Sequence, residues 1–257
     1  MLQTLQPGRS DRLFAMDRAV ILATDLLRGL DPRARDVPAP LLPVGGRPVI
    51  VHVIDALLGV QIRDLAIITG YGDDTIAQEL GNGGVAGMSI AYFDADDGSG
   101  VSALFAVREF AGDEPFLLSR ADVVTAPETY ARVMRASRLT GASVAVAPAD
   151  GRTPGVVKVT GETPGDGMLE AVDPVATAAT GDDAWVTAGV GVLPPAAWPL
   201  MELVGNSAPG DDTLVTVASA LLDAGAPVRA VPVEGPWVLV DSREGLEQAR
   251  AAFEGRR

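Results

Sequence analysis

Few side chains in this 257-residue chain are able to do chemistry. There is no cysteine, His52 is the one histidine, and Lys158 is the one lysine among 20 basic residues, so the rest are arginines. Thiolate catalysis, disulfides and Cys-ligated zinc are excluded. Imidazole or amine chemistry would have to use His52 or Lys158, and each has a plainer reading. His52 falls in a helical stretch and reads as packed; Lys158, on an alternating strand, reads as solvent-facing. Carboxylates and guanidiniums remain. Asp122 closes the apolar run PFLLSRAD. The carboxyl ends of strands line the ligand crevice in α/β proteins, so Asp122 is a candidate metal or ligand contact, the alternative being a cap on the next helix. Arg28, Arg33, Arg35 and Arg47 make Arg18–Pro48 locally basic within an acidic protein. They form an anion site or are solvated loop arginines, and the residues alone leave both open. The Asp94–Asp97 run reads as a solvated acidic loop rather than a cation site.

The elements that must position these groups follow an α/β alternation. Buried strands are expected at Val20–Ala23, Leu65–Thr69, Met88–Phe93, Pro115–Ser119 and Ala142–Ala147. Helices are expected at Pro48–Leu58, with Pro in the first turn, at Asp73–Leu80 with an Asp cap, at Val101–Phe110 and at Glu128–Arg138. Right-handed crossovers then make Val20–Ser119 a doubly wound sheet. After Asp150 the pattern changes. Gly155–Thr160 and Met168–Val172 alternate like antiparallel strands, Ala184–Leu193 is a further strand, and helices follow at Pro195–Val204 and Asp211–Ala224. Val228–Pro232 and Pro236–Val240 read as a hairpin-like pair, with a closing helix at Arg243–Glu254. Residues 1–15 are expected to be a disordered leader. Residues 16–257 are expected to form one domain, with a first half at 16–150 and a second half at 151–257 walling its strand ends.

The net charge is −14. Nucleic acid and anionic membrane both call for a basic surface, so neither is expected as a partner. No apolar run reaches the length of a membrane span, and a cytoplasmic location is the default expectation.

The order of blocks resembles the sugar-1-phosphate nucleotidyltransferase family, which joins a nucleoside triphosphate to a sugar 1-phosphate and releases pyrophosphate. The resemblance rests on AVILA at Ala19–Ala23, PLLPVGGRPVIVHVIDAL at Pro40–Leu57, IITGY at Ile67–Tyr71, DEPFLLSRADV at Asp113–Val123, VTAGVGVL at Val186–Leu193 and VRAVPVEGPWVLVDS at Val228–Ser242. It implies the nucleotide-diphospho-sugar transferase fold, a Rossmann-like α/β architecture with a doubly wound, mixed but mostly parallel sheet. It also implies Mg²⁺ as cofactor, held by Asp122 and by a second carboxylate in a Trp-x-Asp pattern. That position here is Leu239, and Asp241, two residues on, would have to compensate. The nucleotide side would be met by Leu22, Ala23 and Asp25 at the first strand end, and by Ser99 and Gly100 in the small base-reading loop. Gly155, Asp173 and Thr187 would face the sugar.

Several family features are replaced. The Gly-x-Gly-Thr-Arg turn, whose glycines let backbone N–H groups reach phosphates, reads Asp25-Leu26-Leu27-Arg28-Gly29. Leu27 is bulky where phosphate oxygens pass. Asp25 would oppose them at about 4 kcal/mol per charge pair at ~4 Å and an effective dielectric of about 20, or would instead cap a short helix over Asp25–Leu30. The family lysine is Ala39, and the Glu-Lys-Pro run is Val172-Asp173-Pro174. The expectation is a protein with weak or no transferase activity that binds a nucleotide, sugar phosphate or nucleotide sugar, or acts as a regulatory subunit in a homo-oligomer or beside an active relative. The alternative is an active transferase with a rearranged site. There Arg28 with Arg33 or Arg35 clamps the phosphates, and Asp122 with Asp241 holds Mg²⁺. A third reading is a different enzyme on the same shell, resting on Asp, Glu, Arg, Ser, Thr or a metal.

Overall fold

The computed structural model describes residues 16–24, 27–70, 74–81, 87–95, 100–149, 156–160, 168–173, 185–205 and 212–254. Residues 1–15, Asp25, Leu26, Ser99 and Gly155 lie outside the described residues. So do the side chains of Lys158 and Asp173, whose backbones are in strands.

Strands β1 (Arg18–Ala23), β4 (Asp64–Thr69), β5 (Ser89–Asp94), β6 (Phe116–Arg120) and β8 (Ala142–Pro148) take up the apolar, β-branched runs. Between the first two, β2 (Pro43–Val44) and β3 (Arg47–Pro48) form a tight hairpin. Its turn, Gly45-Gly46, has φ of +58° and +83°, which only glycine adopts without strain. β7 (Val123–Thr125) follows β6, and β9 (Val156–Thr160), β10 (Met168–Asp173), β11 (Trp185–Leu193), β12 (Val228–Pro232) and β13 (Trp237–Leu239) complete the strands. Nine of them make one sheet in the order β5-β4-β1-β6-β11-β8-β12-β10-β9. β10 and β11 run against the other seven, so the sheet is mixed and mostly parallel.

Helices α1 (Val49–Gly59), α2 (Thr75–Leu80), α3 (Arg108–Ala111), α4 (Pro127–Thr140), α5 (Ala197–Val204), α6 (Thr213–Asp223) and α7 (Arg243–Glu254) cover the sheet. The core has two layers. On one face Ile21, Ile67 and Val190 pack against Ile50 and Leu57 of α1 and Tyr130 of α4. On the other, Val20, Leu118 and Val144 pack against Leu104, Trp198, Leu214 and Leu221. Among the described residues no helix is long and apolar enough to cross a membrane.

Four expectations are corrected. The pair after Val228 is not a hairpin: β12 joins the main sheet beside β8, whereas β13 leaves it and pairs antiparallel with β7. Buried partners on two different sheets outweigh the local turn signal. Val101–Phe110 is a 3₁₀ segment, Ser102–Val107, running into the single turn of α3. A short apolar piece held against the sheet by Ala103, Leu104 and Val107 takes the tighter winding. Helix α2 begins at Thr75, and its preceding residue Asp74 makes no side-chain cap. Finally, Leu27–Gly29 are not helical. Gly29 has φ +79°, its N–H donates to Arg35 O at 2.8 Å, and Ala39 N donates to Leu27 O at 2.8 Å. These longer-range bonds close a loop in place of the short helix.

Candidate functional site

The carboxyl ends of β1 and β6 lie side by side, with Leu22 paired to Arg120 and Ala121 N donating to Leu22 O at 2.9 Å. Leu22 is half-buried and Ala23 buried. The chain turns at once after β6, and this turn presents Asp122, which is 5% exposed. Its two oxygens are both engaged: Arg120 Nε donates to Oδ1 at 2.9 Å and Arg120 Nη2 to Oδ2 at 2.7 Å. The planar fork of a guanidinium matches a carboxylate in this two-point manner.

β13 brings in the second carboxylate. Its ladder to β7 ends at Leu239–Val123, and Val240 N continues it by donating to Asp122 O at 2.8 Å. Asp241 is therefore one residue beyond that bond, past the strand rather than on its face. Burial pushes the Asp241 carboxyl above its ordinary range; the Arg120 charge pulls it down, and Asp122 adds to the rise.

A third carboxylate comes from α6. Asp212 caps that helix, accepting from Leu214 N at 2.9 Å, and its other oxygen accepts from Thr187 Oγ1 at 2.6 Å. Burial opposes the Arg120 charge, but Asp122, Asp212 and Asp241 together outweigh it and hold the guanidinium protonated well above its ordinary value. Gly189 makes room for the arginine stem. It has φ +76°, and a Cβ there would lie 3.0 Å from Arg120 Cδ. Next to it, Trp237 Nε1 donates to Ala188 O at 3.0 Å, which fastens β13 to β11. The base-loop residue Gly100 belongs to the same neighbourhood, since a Cβ on it would lie 4.0 Å from Thr213 Oγ1.

Thus Leu22 and Asp122 meet at Arg120, Asp241 acts on the same guanidinium, and Thr187 and Gly100 reach this neighbourhood through Asp212 and Thr213. Arg120 and Asp212, which join them, are the residues that sequence reasoning passed over. The signal was there: an Arg two residues before a strand-end Asp, and an Asp just ahead of the TLVTV helix start. Arg28 and Arg33 are placed differently. Both are exposed loop residues; Arg28 Nη1 donates to Asp36 O, and Arg33 N donates to Asp31 Oδ1 at 2.9 Å. His52 is packed, with Nε2 at 2.9 Å from Val44 O and its ring 4.5 Å from that of Phe253.

The Mg²⁺ implied by the resemblance can be tested against this donor set. Mg²⁺ wants oxygens in an octahedral shell, typically one or two carboxylates with waters and substrate phosphates. Here the carboxylate assigned to it is committed on both oxygens to a guanidinium. With Arg120 in this position, the residues do not fit a divalent cation.

Comparison with known proteins gives the class. A family model described as the MobA-like NTP transferase domain matches residues 19–159, more than half of the chain, and the chain belongs to this family. It is 36% identical over 122 residues to CMP-5'-(3-aminopropyl)phosphonate synthase of Streptomyces rubellomurinus, a match covering 46% of this chain and 19% of that protein. It is 25% identical over 223 residues to a glucose-1-phosphate thymidylyltransferase of Streptomyces griseus, covering 86% of this chain and 61% of the relative. The chain thus spans less than two thirds of either relative. Among solved structures it resembles a UDP-glucose pyrophosphorylase from Acinetobacter baumannii, with a TM-score of 0.75 at 16% identity over 93% of each chain, a likeness of fold.

Proposed function

We propose that this chain is a nucleotidyltransferase-fold protein that binds a nucleotide, sugar phosphate or nucleotide sugar and has weak or no transferase activity. The observation that carries this reading is the two-point bond from Arg120 to Asp122. In-line transfer to the α-phosphorus needs charge stabilisation aimed at the reacting phosphate. The carboxylate that would anchor a cation for that purpose already has its counter-ion within the chain. The loss of the Gly-x-Gly turn at Asp25–Gly29 and of the lysine at Ala39 supports the same reading. A non-catalytic role fits a regulatory subunit, either in a homo-oligomer or paired with an active relative.

The test is turnover. The purified chain is mixed with Mg²⁺, CTP, UTP or dTTP, and a sugar 1-phosphate, and pyrophosphate release is followed. The expected rate is far below ~1 s⁻¹, the low end of ordinary enzymes; a rate at or above it sinks the proposal. One observation favours a second reading, the 36% identity to a CMP-phosphonate synthase. On that reading the chain transfers a cytidylyl group to a phosphonate, with Arg28 and Arg33 steering the phosphates. CTP with 3-aminopropylphosphonate is therefore an arm of the same assay.

A further inference from the structure

We propose that Arg120 is the resident cation of this site: its guanidinium occupies Asp122, the carboxylate that the resemblance assigns to a divalent ion, so that the site holds together and receives its ligand without metal. The inference deepens the proposed function and rests on the ligand site named there. Three geometric facts carry it. Arg120 Nε and Nη2 take both oxygens of Asp122, which uses the chelating edge of that carboxylate. Val240 N donates to the main-chain oxygen of Asp122, which brings the backbone next to Asp241 to the same turn. Gly189, at φ +76°, supplies a cradle for the arginine stem that a Cβ, 3.0 Å from Arg120 Cδ, would fill. The side chain is held on its backbone side and at its head, and the arrangement is built rather than incidental.

The chemistry differs from that of a metal in two ways. A guanidinium carries one positive charge in place of two. It also offers only N–H donors, so it can neither coordinate phosphate oxygens nor activate them as a Lewis acid. Three carboxylates (Asp122, Asp212 and Asp241) act on this one cation, so it brings no surplus positive charge to a triphosphate. A ligand of lower charge, such as a nucleotide sugar or a monoester, suits it better.

Manganese serves as the probe, with paramagnetic resonance of free Mn²⁺ as the readout. The wild-type chain is expected to bind no stoichiometric Mn²⁺ up to millimolar concentration. Arg120→Met is expected to gain one site per chain, at least tenfold tighter than any wild-type binding, and adding Asp122→Asn to it should remove the site. One Mn²⁺ bound by the wild type and lost in Asp122→Asn overturns the proposal, as does a folded Arg120→Met that gains none. If Arg120→Met does not fold, the wild type and Asp122→Asn decide between them. The titration uses no nucleotide and no turnover, so its failure is separable from that of the proposed function.

Discussion

At the residue scale the site is decided by how one guanidinium is shared. Arg120 is only partly exposed, at 26% of its side chain, and Asp122 is nearly enclosed at 7%. Removing one member of such a pair leaves a buried charge without its partner, which costs about 3–5 kcal/mol, whereas the intact pair adds little net stability. Asp241 is the less committed carboxylate. Its proton is held more tightly in the folded protein than in the unfolded chain, so the stability linked to it is present at low pH and is lost as pH rises from the ordinary carboxylate range through its raised value. Asp241→Asn removes this dependence. The variant should melt at a higher temperature than wild type at pH 7, and the gain should shrink toward pH 4. A gain that does not depend on pH would show that the carboxylate is not the cause; melting curves across that range decide it.

At the element scale, helix α6 is the piece that ties the two halves of the site together. Its cap, Asp212, also holds Thr187 on β11 and lies close enough to act on Arg120. Asp212→Ala deletes the cap and orphans the buried Thr187 hydroxyl, for a combined loss of about 2 kcal/mol or more. Chemical denaturation measures it, and Asp212→Asn, which can still accept from Leu214 N, should recover most of the loss. The two-stranded β7–β13 pairing does a similar service on the other side, since without it Asp241 would have no reason to meet Asp122.

At the scale of the whole molecule, the last helix closes the first loop. α7 contributes Leu246, Ala249 and Phe253 to a small core with Leu42, Val44 and Val49, against which Leu30, Ala34 and Val37 are packed. Arg250 ties the loop further: its Nη2 donates to Asp31 Oδ2 at 2.6 Å and its Nε to Pro43 O at 3.1 Å. The loop carrying Leu30–Val37 is thus docked on α7. The Arg250 hydrogen bond, helped by the Arg33 backbone N–H, holds the Asp31 carboxyl below its ordinary range. Stability from this contact is therefore present above that range and is lost as pH falls through the lowered value. Arg250→Ala should move the acid-unfolding midpoint, followed by circular dichroism, to higher pH. An unchanged midpoint would mean that the pair adds nothing to acid stability.

The sequence by itself determined the layered α/β fold and the positions of nearly all its strands and helices. Runs such as AVILA and LAIIT are legible because burial on both faces of a parallel sheet demands unbroken apolar residues. It also determined that thiol chemistry is absent. Asp122 was legible as a strand-end carboxylate; Thr187 and Gly100 were singled out only through the resemblance, as ligand contacts. Only the tertiary structure decided what Asp122 faces. Its side-chain partner, Arg120, is only two residues away, but the carboxylates that share that guanidinium come from Asp212, some ninety residues on, and from Asp241 just past β13, and no local pattern encodes contacts between segments so far apart. The hairpin expected around Gly235 failed for the same reason: each strand found a better buried partner elsewhere in the sheet system than its neighbour in sequence.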